Sequence, residues 1–129
     1  MDDSLIYSET IRTKNAVIRL VDGNIFYVLY DPEITIEVSD FEETRSVYEE
    51  LSKNQLLKFI VEFPPYTSAT ADARKWATEH QVDAVAEAIV FHGLAQRLLI
   101  RFYLRFRKQK HPVKIFLKKD EAFHWLKNH

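Results

Sequence analysis

Hydrophobic positions along the chain fall into short, dense runs separated by longer segments with helical spacing. Asp22-Gly23, a favoured hairpin turn, separates the first two runs, so these two should pair antiparallel. Two later runs are almost unbroken, as is typical of strands that are buried on both faces. The pattern therefore predicts five strands, at residues 15–21, 24–30, 56–63, 84–91 and 113–117.

Apolar residues recur every three to four positions between these runs, which indicates helices. Ser39 and Glu42 have capping-box spacing, so the first helix should begin at Ser39. Asp120 can cap the last helix. The predicted helices cover residues 39–53, 69–79 and 94–106, and a short last helix runs from Asp120 through Trp125 and Leu126.

The predicted order of elements is β-β-α-β-α-β-α-β-α, with no repeat. Strands that alternate with helices favour a parallel arrangement of the last three strands, with right-handed connections and helices on both faces of the sheet. The opening hairpin adds an antiparallel member. We therefore expect an α/β fold with a mixed five-stranded sheet and about four helices, in one domain over residues 1–129.

Composition and charge exclude several classes of function. The 129 residues include no cysteine and only two glycines, which excludes disulfides, thiolate metal sites and glycine-rich nucleotide loops. The five histidines have no metal-ligand spacing, so no metal and no cofactor are expected. The net charge of −1 argues against nucleic-acid binding. No signal-peptide pattern or membrane-length apolar run is present, so we expect a cytoplasmic protein.

Several stretches in the second half of the chain carry a family resemblance. They are Ala73-Arg74-Lys75-Trp76, residues 86–93, the helix around Arg97, residues 112–116, Asp120-Glu121-Ala122 and Trp125-Leu126-Lys127. These stretches resemble STAS-like domains, the fold of anti-sigma-factor antagonists and of many uncharacterised bacterial proteins. The resemblance implies a three-layer sandwich and a bacterial binding or regulatory module rather than an enzyme.

Phosphorylation-regulated members of that family carry an Asp-Ser-x-Gly turn after a central strand, and a partner kinase modifies its serine. The corresponding loop here covers residues 63–70 and has neither the aspartate nor the glycine. Ser68 is the nearest match, with Thr67 and Thr70 as neighbours. These three hydroxyls are candidates for phosphorylation or loop contacts, and the alternative is that they cap the helix that follows.

Ligands of open α/β sheets gather beyond the carboxyl ends of the parallel strands. The loops concerned are residues 64–70, His92-Gly93 and residues 118–120, which makes His92 and Lys118 candidates for binding a partner or an anion. A serine, a histidine and an aspartate lie in these loops, but no Gly-x-Ser-x-Gly elbow accompanies Ser68, and a small hydrolase is the weakest hypothesis. His92 is otherwise a histidine at a strand end.

The predicted third helix carries Arg97, Arg101 and Arg105 at every fourth position on an otherwise apolar segment. One interpretation is a helix that packs on the sheet with its arginines in solvent or paired with the acidic first half of the chain. The other is that its apolar residues exceed what the sheet can cover and form a homodimer interface, an apolar groove or a membrane-surface patch. Those residues are Leu99, Ile100, Tyr103 and Leu104.

The first hypothesis for function is a non-catalytic regulatory protein that binds an unidentified protein partner and forms a homodimer. The alternative is a carrier or sensor of a lipid or another apolar anion, with aromatic residues around the tail and arginines at the head group.

Overall fold

The computed structural model describes residues 5–93, 96 and 110–129, and these contain eight strands and three helices. The strands are β1 (Ile11–Arg12), β2 (Ala16–Val21), β3 (Ile25–Tyr30), β4 (Thr35–Ile36), β5 (Leu57–Phe63), β6 (Ser68–Ala69), β7 (Ala84–Phe91) and β8 (Val113–Phe116). The helices are α1 (Val38–Ser52), α2 (Ala71–Glu79) and α3 (Lys119–Lys127).

Six of these strands form one mixed sheet in the order β1-β2-β3-β5-β7-β8. The first three are antiparallel neighbours, whereas β3, β5, β7 and β8 run parallel. The predicted hairpin followed by parallel strands is thus confirmed. The hairpin turns at Asp22 and Gly23, which both have positive φ, and the Asn24 N–H donates to the Val21 carbonyl at 3.2 Å.

The predicted number of five strands is wrong. β1 extends the hairpin edge through pairs such as Ile11 with Ile18, and β4 pairs with β6 in a separate two-stranded parallel sheet. These additional strands have two residues each, too few for an alternating pattern to reveal them. The predicted helix over residues 94–106 lies outside the described residues.

Helices cover both faces of the main sheet, as predicted. On one face, α1 contributes Tyr48 to a core with Phe26 and Phe59. On the other face, α3 contributes Phe123, which packs edge-on against Tyr27 at a centroid distance of 5.5 Å. We call these the α1-side core and the α3-side core. Alternate residues of each inner strand supply the two cores, because successive side chains point to opposite faces.

The helix starts differ slightly from the predicted ones. α1 begins at Val38, and the Asp40 carboxylate accepts a hydrogen bond from the Glu37 N–H at 2.8 Å, so Ser39 is not the cap. α3 begins after Lys118, which places Asp120 in the first turn instead of at the cap. In the described part of the chain, no helix has the length and hydropathy that crossing a bilayer requires.

Candidate functional site

The loop after β5 presents an exposed tyrosine on a fixed backbone. Tyr66 is 84% exposed and has a φ of 64°, a left-handed conformation that is uncommon outside glycine. The Thr67 N–H donates to the Pro64 carbonyl at 3.3 Å, and the buried Thr67 hydroxyl donates to the Asp31 carbonyl at 2.9 Å. These bonds hold the backbone next to Tyr66 and leave its ring in solvent.

The three hydroxyls predicted in this loop have three different environments. Thr67 is buried, and its hydroxyl is satisfied by the bond to the Asp31 carbonyl. Ser68 is exposed in β6, with its Oγ 3.3 Å from the Thr35 hydroxyl. Thr70 is the N-cap of α2. Capping therefore applies to Thr70 alone, and phosphorylation of Ser68 stays a prediction.

Replacing the cap of α2 should have a modest, specific cost. The Thr70 hydroxyl accepts a hydrogen bond from the Ala73 N–H at 3.0 Å, so Thr70→Ala should lower the free energy of unfolding by about 1 kcal/mol. Urea denaturation measures this change. Thr70→Ser keeps the acceptor and should retain nearly all of the stability, so equal losses in both variants would contradict the capping role.

His92 follows β7 directly and contacts the buried Glu62, which also binds the buried Tyr27, at the α3 side of the sheet. Its Nε2 lies 2.7 Å from one carboxylate oxygen of Glu62, and the Tyr27 hydroxyl donates to the other at 2.5 Å. Burial, reinforced by the bond to Glu62, raises the pKa of the Tyr27 phenol. The imidazole of His92, whose side chain is 32% exposed, is therefore bound to a buried carboxylate at the end of its strand.

The predicted loop site divides between two faces of the sheet. Ser68 lies beside α2, whereas His92 belongs to the α3 side, where the Lys119 ammonium is 5.7 Å from the centre of the Tyr27 ring. Lys118 is exposed at the cap position of α3. Within the described residues, Ser68 contacts a threonine and His92 contacts a glutamate, so the triad that a hydrolase would need is not assembled.

A cavity of about 340 Å³ lies on the α1 side, between the sheet and helices α1 and α2. Its floor includes a row of three stacked rings from three neighbouring strands. Tyr30 and Phe63 have centroids 5.5 Å apart, and Phe63 and Phe91 have centroids 5.0 Å apart. Val28, Phe59, Val61 and Ile89 complete the apolar floor, and Phe41, Trp76 and Ala77 lie on the helix side.

Most of the charged groups around this cavity are already bound within the protein. The Arg45 guanidinium donates to the His80 carbonyl and pairs with Glu49 at 3.0 Å. Arg74 donates to the Ala69 carbonyl at 2.6 Å. Both arginines thereby hold the two ends of α2.

Two further polar residues line the cavity. The Glu87 carboxylate is 3.1 Å from Nε2 of the buried His111. The Gln96 side-chain N–H donates to the Thr67 carbonyl at 2.5 Å, and its Oε1 is buried with no hydrogen-bond partner among the described residues. A polar atom in this state costs free energy unless a bound molecule satisfies it.

Sequence reasoning missed the two buried carboxylates, Glu62 and Glu87. Each is the acidic residue in a strand that is otherwise almost entirely apolar. Glu62 pairs with His92, which follows β7, and Glu87 pairs with His111, which precedes β8. A charge inside a buried run is a usable signal, because buried charges need partners. The pairing itself depends on which strands become neighbours.

The predicted basic stripe and apolar patch lie outside the described residues. This applies to Arg97, Arg101, Arg105, Leu99, Ile100, Tyr103 and Leu104. Among residues 5–93, 96 and 110–129, no group of three histidine or acidic side chains is arranged to hold a metal ion.

A mixed sheet that opens with an antiparallel hairpin, continues in parallel and carries helices on both faces is the arrangement of a STAS-like fold. The chain belongs to the family described as a domain of unknown function (DUF7793), whose model matches residues 18–129. No curated protein matches the sequence significantly.

Two solved structures are similar to this chain. One is an uncharacterised protein of the DUF3478 family with a SpoIIAA-like fold from Shewanella loihica PV-4, with 15% identity, a TM-score of 0.55, and coverage of 95% of this chain and 93% of that one. The other is a protein of unknown function from Arthrobacter sp. FB24, with 20% identity, a TM-score of 0.33, and coverage of 87% and 99%. At 15% identity, the first likeness establishes the fold alone.

Proposed function

We propose that this protein is a non-catalytic, STAS-like interaction module that binds a protein partner through the loop of residues 64–68. The observation that carries the proposal is Tyr66, which is 84% exposed on a loop that the hydrogen bond from the Thr67 hydroxyl to the Asp31 carbonyl holds in place. Tyrosine is enriched among the residues that dominate interface energies, because its ring buries a large area and its hydroxyl keeps a hydrogen bond.

The rigidity of the loop favours binding. Pro64 and Pro65 restrict the backbone before Tyr66, and the anchored Thr67 restricts it afterwards. A contact residue that is already ordered loses little conformational entropy when a partner covers it. Backbone strain such as the positive φ of Tyr66 is also concentrated at functional positions.

A regulatory role gains support from Ser68, which is exposed and lies two residues after Tyr66 in the sequence. A phosphate there would add negative charge to the same surface and change the partner's affinity. The absence of catalysis is supported by the internal pairing of the reactive groups, since His92 is bound to Glu62 and the Ser68 hydroxyl has Thr35 as its neighbour.

The test is the affinity of the partner for variants of two exposed residues at opposite ends of β5. A partner recovered from the native cells is purified, and its Kd is measured by calorimetry. Tyr66→Ala should raise Kd about 30-fold, the loss typical of an interface hot spot. Leu56→Ala is the matched control, because Leu56 is 59% exposed just before β5 and should leave Kd unchanged.

An unchanged Kd for Tyr66→Ala, with the fold intact by circular dichroism, would refute the loop as the contact surface. An equal rise in Kd for Tyr66→Ala and Leu56→Ala would indicate that the partner does not bind specifically through the loop of residues 64–68.

A further inference from the structure

We propose that the cavity beneath α1 and α2 binds a small apolar molecule that carries a terminal hydroxyl group. The proposal goes beyond the interaction role and does not depend on it, because it concerns the interior of the α1 side instead of the exposed loop. Three features carry it: the size of the cavity, its stacked aromatic floor and the unsatisfied oxygen of Gln96.

The size of the cavity suits a small ligand. Protein interiors are packed with few voids larger than a water molecule, whereas pockets for small molecules begin at about 300 Å³. This cavity has about 340 Å³. Its floor follows β5 from Phe59 to Phe63, which is about 13 Å along an extended strand. The cavity is therefore large enough for a small molecule such as a medium-chain alcohol.

The lining specifies an apolar body. Tyr30, Phe63 and Phe91 present a nearly continuous aromatic surface, with interplanar angles of 6° and 13° between neighbours. A hydrocarbon chain or a flat ring that covers this surface removes apolar area from water, at about 25 cal/mol per Å². The opposite wall includes Phe41 and Trp76, so such a body is contacted from both sides.

The polar end of the ligand is specified by Gln96. Its amide N–H groups face the loop, where one donates to the Thr67 carbonyl, and this orientation assigns the other atom as a carbonyl oxygen. That oxygen is buried without a partner in the described part of the chain. It accepts hydrogen bonds and cannot donate them, so it selects a ligand with a donor such as a hydroxyl.

The same groups disfavour a carboxylate head. Arg45 and Arg74 already bind backbone carbonyls at the ends of α2, and Glu87 adds a negative charge to the lining. A carboxylate placed against the Gln96 oxygen would bring two acceptors together. The cavity therefore favours a neutral alcohol over the anionic ligand that the sequence alone suggested.

The experiment uses the full chain with Trp125→Phe, which leaves Trp76 in the cavity lining as the sole tryptophan. The protein is titrated with 1-octanol, with its methyl ether 1-methoxyoctane and with octanoate, and both Trp76 emission and Tm are recorded. We expect saturable binding of 1-octanol, a rise in Tm, and a Kd about tenfold lower than for the ether, which lacks the donor.

Two alanines of α2 provide a matched pair of variants. Ala77 lines the cavity, so Ala77→Leu fills part of it and should weaken 1-octanol binding at least about tenfold without lowering Tm. Ala71 is exposed on the same helix, and Ala71→Leu should leave binding unchanged. An unchanged Tm for Ala77→Leu would show that this variant is folded, so its loss of binding would not reflect unfolding.

Other outcomes overturn the proposal. If 1-octanol gives no saturable response up to its solubility limit, the cavity is not a site for such an alcohol. If Ala77→Leu binds 1-octanol as well as the unsubstituted chain does, the alcohol binds outside this cavity. Equal affinity for the alcohol and the ether removes the role of Gln96, and tighter binding of octanoate replaces the neutral ligand with an anion. None of these results bears on the Tyr66 surface, whose test is the partner's Kd.

Discussion

Raising the pH above about 10 should unfold this protein over a narrow range, with a loss of up to about 3 kcal/mol of stability per pH unit. The hydroxyls of Tyr27 and Tyr30 are mainly responsible, because burial raises the pKa of each strongly in the folded protein. Burial also raises the pKa of Tyr48, which adds a smaller part in the same direction. In the unfolded chain these phenols ionise near pH 10. The unfolded state then binds fewer protons than the folded state, so stability is complete below pH 10 and is lost as the pH rises above it.

Urea denaturation at pH values from 8 to 11 measures this slope as a function of pH. Tyr27 and Tyr30 each contribute up to about 1.4 kcal/mol per pH unit, so Tyr30→Phe should reduce the slope by about half. Tyr27→Phe should do the same, and it should also lower stability at neutral pH because Glu62 loses a hydrogen bond. Tyr66→Phe changes an exposed ring and serves as the control. An unaltered slope in Tyr30→Phe would show that other groups drive alkaline unfolding.

Phe26→Ala should lower the free energy of unfolding by about 4 kcal/mol, the largest effect that we expect from a single truncation. Phe26 is fully buried at the centre of the α1-side core. Its ring meets Tyr48 edge-on at a centroid distance of 5.1 Å and lies 5.2 Å from the ring of Phe59. Truncation removes the apolar contact area of the ring, both aromatic pairs and one of the contacts between α1 and the sheet.

Equilibrium unfolding in urea at pH 7 tests this value. The matched control is Leu117→Ala, since Leu117 is 47% exposed after β8 and its truncation should change stability by no more than about 0.5 kcal/mol. A loss below about 2 kcal/mol for Phe26→Ala would mean that the neighbouring rings close the gap, as the cost of truncation depends on how far a site relaxes.

The order of the long elements followed from local patterns. Asp22-Gly23 specified the hairpin, because its backbone conformation is favourable for few other pairs. The dense apolar runs of β5 and β7 identified strands buried on both faces, and this burial is what a parallel arrangement requires. The short strands β1, β4 and β6 escaped notice, since a pair of residues carries no periodicity.

The candidate site was predicted less well than the fold. Thr67, Ser68 and Thr70 are chemically alike and adjacent in sequence, yet one is buried against a carbonyl, one is exposed and one caps a helix. The difference arises from where the elements begin, because Ser68 lies in β6, Thr67 lies just before it and Thr70 lies between β6 and α2. Tyr66 had no sequence feature that marked it as exposed, because its exposure depends on what packs beneath the loop.

The sequence by itself determined the α/β class, the hairpin and the main strand and helix order, because propensity, turn chemistry and periodicity act between residues that are close in the chain. Tertiary structure alone decided which groups meet. Glu62 reaches His92 and Tyr27, and Glu87 reaches His111, only because distant strands become neighbours. The cavity is likewise a property of how α1 and α2 rest on the sheet, since its volume is set by packing between elements and by no single one of them.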